Sequence, residues 1–205
     1  MTGVYPGTSG SIDFLGSRIN GLPSHEITAL GIARTFQNIR LFGNMTALEN
    51  VMVGRHCRSS QRLLGPLLRL PAYKAEEAAI ESSAKELLAF VGLLPLGNEL
   101  AKNLPYGSQR RLEIARALAT EPKLLVLDEP TAGMNHTESS DLVALVRKIL
   151  TRGITVLLIE HHMRVVMDIS DRVVVFDYGV KIAEGAPREV VANPRVIEAY
   201  LGKGE

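Results

Sequence analysis

Hydrophobic positions change rhythm along this chain, and the clearest signals lie in its second half. Leu124–Leu127 and Ile154–Ile159 are short apolar runs ending in polar residues, Asp128-Glu129 and Glu160-His161. Runs apolar on both faces suit central strands of a parallel sheet covered by helices. Between them, Glu138–Leu150 repeats its apolar residues at helical spacing. Strand, helix and strand in that order predict a right-handed βαβ unit. Val173–Phe176 and Val180–Ala183 flank Asp177-Tyr178-Gly179 and read as a hairpin. Pro187–Ala192 and Pro194–Leu201 read as closing helices, each with proline near its start.

The first half is more broken. Ser11–Leu15 reads as a strand followed by a turn at Gly16–Arg18, and Ile32–Phe36 as a second strand ending at Gln37. Between them Gly21–Glu26 forms a turn into a short helix, with Ser24 expected at its N-cap. From about Thr46 to Gly97 the pattern is helical, opening on a capping box, Thr46-Ala47-Leu48-Glu49. Tyr73–Val91 predicts a long helix, with Ala75, Ala79, Leu87, Leu88 and Val91 available for one packed face, and Gly92 breaks it. Arg55–Leu70 mixes Arg with Leu and is interrupted by Gly65 and Pro66, which suits a surface helix and loop better than a membrane-binding segment. The fold class predicted is α/β.

Composition narrows the possibilities. A chain of 205 residues fits one domain, or one with a small lobe. A formal net charge of +1 gives no support for coating nucleic acid, so no nucleic-acid partner is expected. One cysteine, Cys57, excludes an internal disulfide and a multi-cysteine metal site. No apolar stretch approaches the roughly 20 residues needed to span a bilayer. The first ten residues have neither the basic region nor the apolar run of a signal peptide. Membrane association is therefore expected to come through a partner.

The chemistry-bearing residues sit where the predicted strands end. Ligands of open α/β sheets bind at the carboxyl ends of the strands. An acidic pair there suits a Mg²⁺–nucleotide site, with Asp128 helping to hold the metal and Glu129 accepting a hydrogen bond or a proton from the attacking water. The plainer alternative is an Asp-Glu pair capping the next turn. Upstream, Leu104–Leu118 is a glycine-containing turn opening a helix with a stripe at Leu112, Ala115 and Leu118. Helix starts expose unpaired N–H groups that suit a phosphate, and Arg110 and Arg111 add charge nearby. By itself that segment reads better as an ordinary helix with a solvated basic face.

Taken together the segments resemble the ATP-binding cassette (ABC) ATPases, whose motifs they follow in order. Ile32–Gln37 resembles the Q-loop, Leu104–Gln109 the signature loop, Leu124–Glu129 the Walker B strand, Thr131–Asn135 the D-loop, and His161 the switch histidine. The resemblance implies an α/β, P-loop NTPase-like parallel sheet over residues 1–205, with a helical subdomain at about 46–120. It implies Glu129 and His161 as catalytic residues, Gln37 and Asp128 at Mg²⁺, and Gln37, Gly107, Ser108, Gln109 and Asn135 at ATP. Gly31–Phe42, Arg110–Leu118, Ile159–His161 and Val196–Leu201 are similar to the branched-chain amino acid importer branch. That branch implies integral-membrane permease partners, a second ATPase subunit, an indirect link to a substrate-binding protein, and a peripheral place on the cytoplasmic membrane face. A subunit that docks on a permease without turnover is the alternative.

The chain departs from the family in three places. No Gly-x-x-x-x-Gly-Lys-[Ser/Thr] phosphate loop occurs in it, and by resemblance Met1–Gly3 matches the end of the helix that follows that loop. A start set too late in the reading frame and a genuine truncation both account for this. The intact downstream residues favour the first, and an in-frame upstream Gly-Lys-Ser/Thr segment would decide. Weak ATP binding, poor solubility and an unpaired strand edge are the expected consequences. Pro105 replaces the usual serine of the signature loop, and Asn135 stands where aspartate is common.

Overall fold

The structure is a computed structural model that describes residues 2–3, 7–58 and 71–201, with side chains for all of these except 71–73, 200 and 201. The larger part of the predicted loop at Arg55–Leu70 lies outside the described residues.

Three parallel strands form the sheet that carries the site: β3 (Ile32–Arg34), β4 (Leu124–Asp128) and β5 (Thr155–Ile159), in the order β3-β4-β5. β4 is central, as its apolar run predicts, and Leu125 and Leu127 are fully buried. Burying a leucine contributes roughly 1.5–3 kcal/mol. β5 differs from expectation. Among the described residues it pairs only with β4, and Leu157 and Ile159 are 38% and 45% exposed. Its continuous apolar run is therefore covered on one face only. Two hairpins complete the strands, β1 (Asp13–Phe14) with β2 (Ser17–Arg18), and β6 (Val173–Asp177) with β7 (Val180–Gly185). Val174 and Phe176 of β6 are also exposed.

The α-helices among the described residues are α1 (Ser24–Leu30), α2 (Ala47–Arg55), α3 (Pro71–Phe90), α4 (Tyr106–Leu118), α5 (His136–Leu150), α6 (Met163–Ile169), α7 (Pro187–Val191) and α8 (Pro194–Leu201). The capping box of α2 forms as predicted: the Glu49 N–H donates to Thr46 Oγ1 at 3.1 Å, and Thr46 N–H donates to Glu49 Oε2 at 2.7 Å. Ser24 is not an N-cap. Pro23 occupies that position in extended backbone, and Ser24 is the first helical residue, its carbonyl accepting from the Thr28 hydroxyl. α3 starts two residues before the predicted Tyr73, and its buried face is Ile80, Ala84 and Leu88, continued by Val91, while Ala75 and Ala79 face solvent. The early alanines match helical spacing as well as Ile80 does, so spacing alone did not select the face.

One core joins the sheet to the helices. Leu125 and Leu127 from β4 and Leu142 and Ile149 from α5 share a cluster with Val51 of α2, Leu88 of α3 and Leu112 and Ile114 of α4. α2 and α4 approach so closely that a Cβ on Gly54 would collide with the Arg116 carbonyl oxygen. A second, smaller cluster packs Ile19, Ile27 and Ile32 against Val126.

Candidate functional site

Strand register builds the site. Asp128 pairs with Ile159, so β4 and β5 end level and release Glu129 and Glu160 side by side. The chain then turns sharply: Glu129 has φ 42°, left-handed backbone that non-glycine residues seldom adopt. Its N–H is held by the Ile159 carbonyl at 2.8 Å. This turn aims the Glu129 side chain at two residues from other segments. Gln37 Nε2 donates to Glu129 Oε2 at 2.8 Å, and His161 Nδ1 lies 3.5 Å from Glu129 Oε1. Glu129 is partly exposed and His161 more than half exposed, so both groups are open to a ligand. Asp128 forms an ion pair with Arg34 through Oδ2, at 2.7 Å. Arg34 in turn donates to the Thr2 hydroxyl at 3.2 Å. Sequence reasoning did not anticipate this pairing.

The glycine turn stands at the start of α4. Pro105, at its cap position, gives no side-chain cap, so the first-turn N–H groups have no intrahelical acceptor. Gly107 lies against Glu138, where an added Cβ would come within 2.9 Å of Oε1. Gln109 folds back onto the Leu104 carbonyl at 2.8 Å, and Ser108 is buried, its hydroxyl accepting from Arg111. The basic face expected here is not solvated. Arg110 is fully buried and donates to the Phe36 carbonyl (2.6 Å), the Gln37 carbonyl (2.7 Å) and Glu113 (2.9 Å). Glu113 also accepts from the Arg40 N–H at 3.2 Å. Tyr106 donates its hydroxyl to the Ala132 carbonyl at 3.0 Å.

The segment after Glu129 is fixed from two sides. Asn135 caps α5 in a reciprocal box with Glu138, at 2.9 and 3.0 Å, so its side-chain oxygen is already engaged. Thr131 and Glu160, both missed as site residues, meet beneath it. Glu160 Oε1 accepts the Thr131 N–H at 3.1 Å and the Thr131 hydroxyl. Glu160 Oε2 accepts the N–H groups of His161 and His162, at 3.1 and 3.2 Å. Burial pushes the Glu160 carboxyl up, yet the bonds from Thr131 and His162 outweigh it and hold the group below the ordinary carboxylate value. His162 Nδ1 lies 3.1 Å from Glu160 Oε2. Glu160, His161 and His162 bring ligand-type atoms within 4.8 Å of one another, but both Glu160 oxygens are occupied, which disfavours a metal there. No helix among the described residues is long and apolar enough to cross a membrane.

Of the residues the sequence singled out, the structure unites Gln37, Glu129 and His161, and sets Asp128 next to them in the chain. Gly107, Ser108, Gln109 and Asn135 form a separate group at the starts of α4 and α5. The family model for ABC transporters matches residues 1–132, and that for the branched-chain amino acid ATP-binding cassette transporter matches residues 180–205. The chain is 46% identical over 204 residues to the high-affinity branched-chain amino acid transport ATP-binding protein BraF of Pseudomonas aeruginosa, covering 99% of this chain and 80% of that protein. It superposes on the ADP conformation of an ATP-binding cassette of an ABC transporter with TM-score 0.81 and 33% identity, over 98% of this chain and 80% of that one. A dimeric cassette in a post-hydrolysis state, bound to ADP and Pi, matches with TM-score 0.74 and 25% identity, over 90% and 76% of the two chains. The chain therefore belongs to the ABC transporter ATPases, as an ATP-binding subunit of the branched-chain amino acid transport family.

Proposed function

We propose that this subunit hydrolyses ATP to drive an importer of branched-chain amino acids, as one of two cassettes docked on integral-membrane permease subunits. The observation that carries this reading is the meeting of Gln37 and His161 on Glu129, at 2.8 and 3.5 Å. Glu129 is the base that takes a proton from the attacking water. His161 donates to the γ-phosphate, and Gln37 holds the Glu129 carboxylate in place. Asp128 and the Gln37 amide offer hard oxygen donors of the kind Mg²⁺ prefers, with Arg34 sharing Asp128. When bound, Mg²⁺ neutralises charge on the phosphate oxygens.

On this reading Gly107, Ser108 and Gln109 serve the nucleotide of the second cassette, and Asn135 stands at the contact between cassettes. The cleft of about 690 Å³ lined by Phe36, Arg40, Phe42, Val53 and Arg116 adjoins Gln37 and suits a permease helix. On this reading the subunit sits peripherally on the cytoplasmic membrane face, with a substrate-binding protein reached only through the permease. Nucleic acid has no part in it. ATP turnover by the reconstituted transporter tests the reading. Glu129→Gln should keep nucleotide binding and lose about 10²–10⁴-fold in kcat; unchanged turnover removes Glu129 as the base. A docking subunit without turnover is the alternative reading. It predicts an inactive wild-type complex.

A further inference from the structure

The buried pair Arg110–Glu113 has no part in the chemistry above, and stability does not account for it. Removing two charges from water costs several kcal/mol per ion, and an apolar pair of similar volume often serves a core as well or better. Both side chains are essentially inaccessible, on successive turns of α4. What charges do here that leucines would not is bond the backbone of another segment. Arg110 Nη1 and Nη2 donate to the Phe36 and Gln37 carbonyls, and Glu113 Oε1 accepts from the Arg40 N–H. Residues 36–40 follow β3 without helix or strand, so their backbone groups have no ladder partners and must find others.

We propose that Arg110 and Glu113 are positioning residues for Gln37. They clamp the backbone on both sides of its Cα, so that its amide reaches Glu129. α4 begins with the Gly107–Gln109 turn, and Tyr106 joins the same network through its hydroxyl, which accepts from Arg110 at 3.3 Å and donates to Ala132. The clamp thus fastens the Gln37 segment to the helix that carries the glycine turn. A displacement at one is transmitted to the other through four side-chain bonds, three from Arg110 and Glu113 and one from Arg116 to the Arg40 carbonyl. The functional weight of this clamp rests on the proposed role of Gln37 at the nucleotide. The clamp itself does not.

The test is the double variant R110L/E113L in the purified chain, read by amide hydrogen exchange. It should fold with a Tm equal to or above the native value, while the Arg40 amide, whose N–H donates to Glu113, exchanges about tenfold faster or more and the amides of β4 keep their protection. The Gln37 side-chain amide resonances should move to the positions they take in Glu129→Ala, which removes the acceptor of the Gln37 amide. Arg110→Lys, whose single ammonium cannot span two carbonyls, should show an intermediate exchange rate. Unchanged exchange and unchanged Gln37 resonances in R110L/E113L overturn the proposal. Should that variant not fold, unchanged exchange in Arg110→Lys overturns it. These readouts use no nucleotide, so a transporter without ATP turnover would defeat the ATPase reading and leave the clamp standing.

Discussion

Replacing Glu160 by glutamine exposes how far a single buried carboxylate organises the ends of β4 and β5. The two oxygens of Glu160 receive three backbone N–H groups and the Thr131 hydroxyl. A glutamine amide offers one acceptor oxygen and one NH₂ group. If the NH₂ faces His161 and His162, two N–H donors lose their acceptor. If it faces Thr131, the hydroxyl can rotate to accept but the Thr131 N–H is left without one. The second arrangement is the cheaper, and one buried donor without a partner costs about 1–3 kcal/mol. For a chain of this size that lowers Tm by roughly 2–12 °C. Urea or thermal unfolding of the wild type and Glu160→Gln at neutral pH measures it, and a loss within about 0.5 kcal/mol, the range of ordinary surface substitutions, would refute the reasoning. The pH dependence adds a sign. The folded carboxyl lies below its ordinary value, so its contribution is complete above the unfolded pKa and fades as pH falls through the folded one. The gap between wild type and variant should therefore narrow in acid.

Other substitutions test the packing and the caps. Gly54→Ala should destabilise by about 1–3 kcal/mol, because the new methyl meets the Arg116 carbonyl and outweighs alanine's better helix propensity of roughly 1 kcal/mol; denaturant unfolding reads it. Ile149→Ala, at a fully buried core position, should lose about 2–5 kcal/mol by the same measurement. Thr46→Ala removes the acceptor for the Glu49 N–H and should cost about 1 kcal/mol, with faster exchange confined to the first turn of α2.

The sequence was legible where local pattern and tertiary role agree. β4, α5 and the second hairpin follow from uninterrupted periodicity, and the Thr46 box satisfies itself within four residues. Gln37, Glu129 and His161 were singled out because each closes a motif, and the fold brings the three side chains together. Arg110 was misread because its surroundings come from residues 36 and 37, 73 or 74 positions away, and an arginine near a helix start looks solvated when read alone. Arg34 and Asp128 are 94 residues apart and meet only because β3 and β4 pair. Glu160 resembled any polar residue ending a strand, and its burial depends on Thr131 folding over it. Ser24 gave way to Pro23 because proline's fixed φ fits the extended cap position.

The flank of β5 that no described strand covers has a practical consequence. A strand rim with regularly spaced donors and acceptors, flanked by Leu157 and Ile159, is a template on which another molecule's backbone can add. Self-association should therefore rise with protein concentration, and a lysine at position 157 is the change best suited to suppress it.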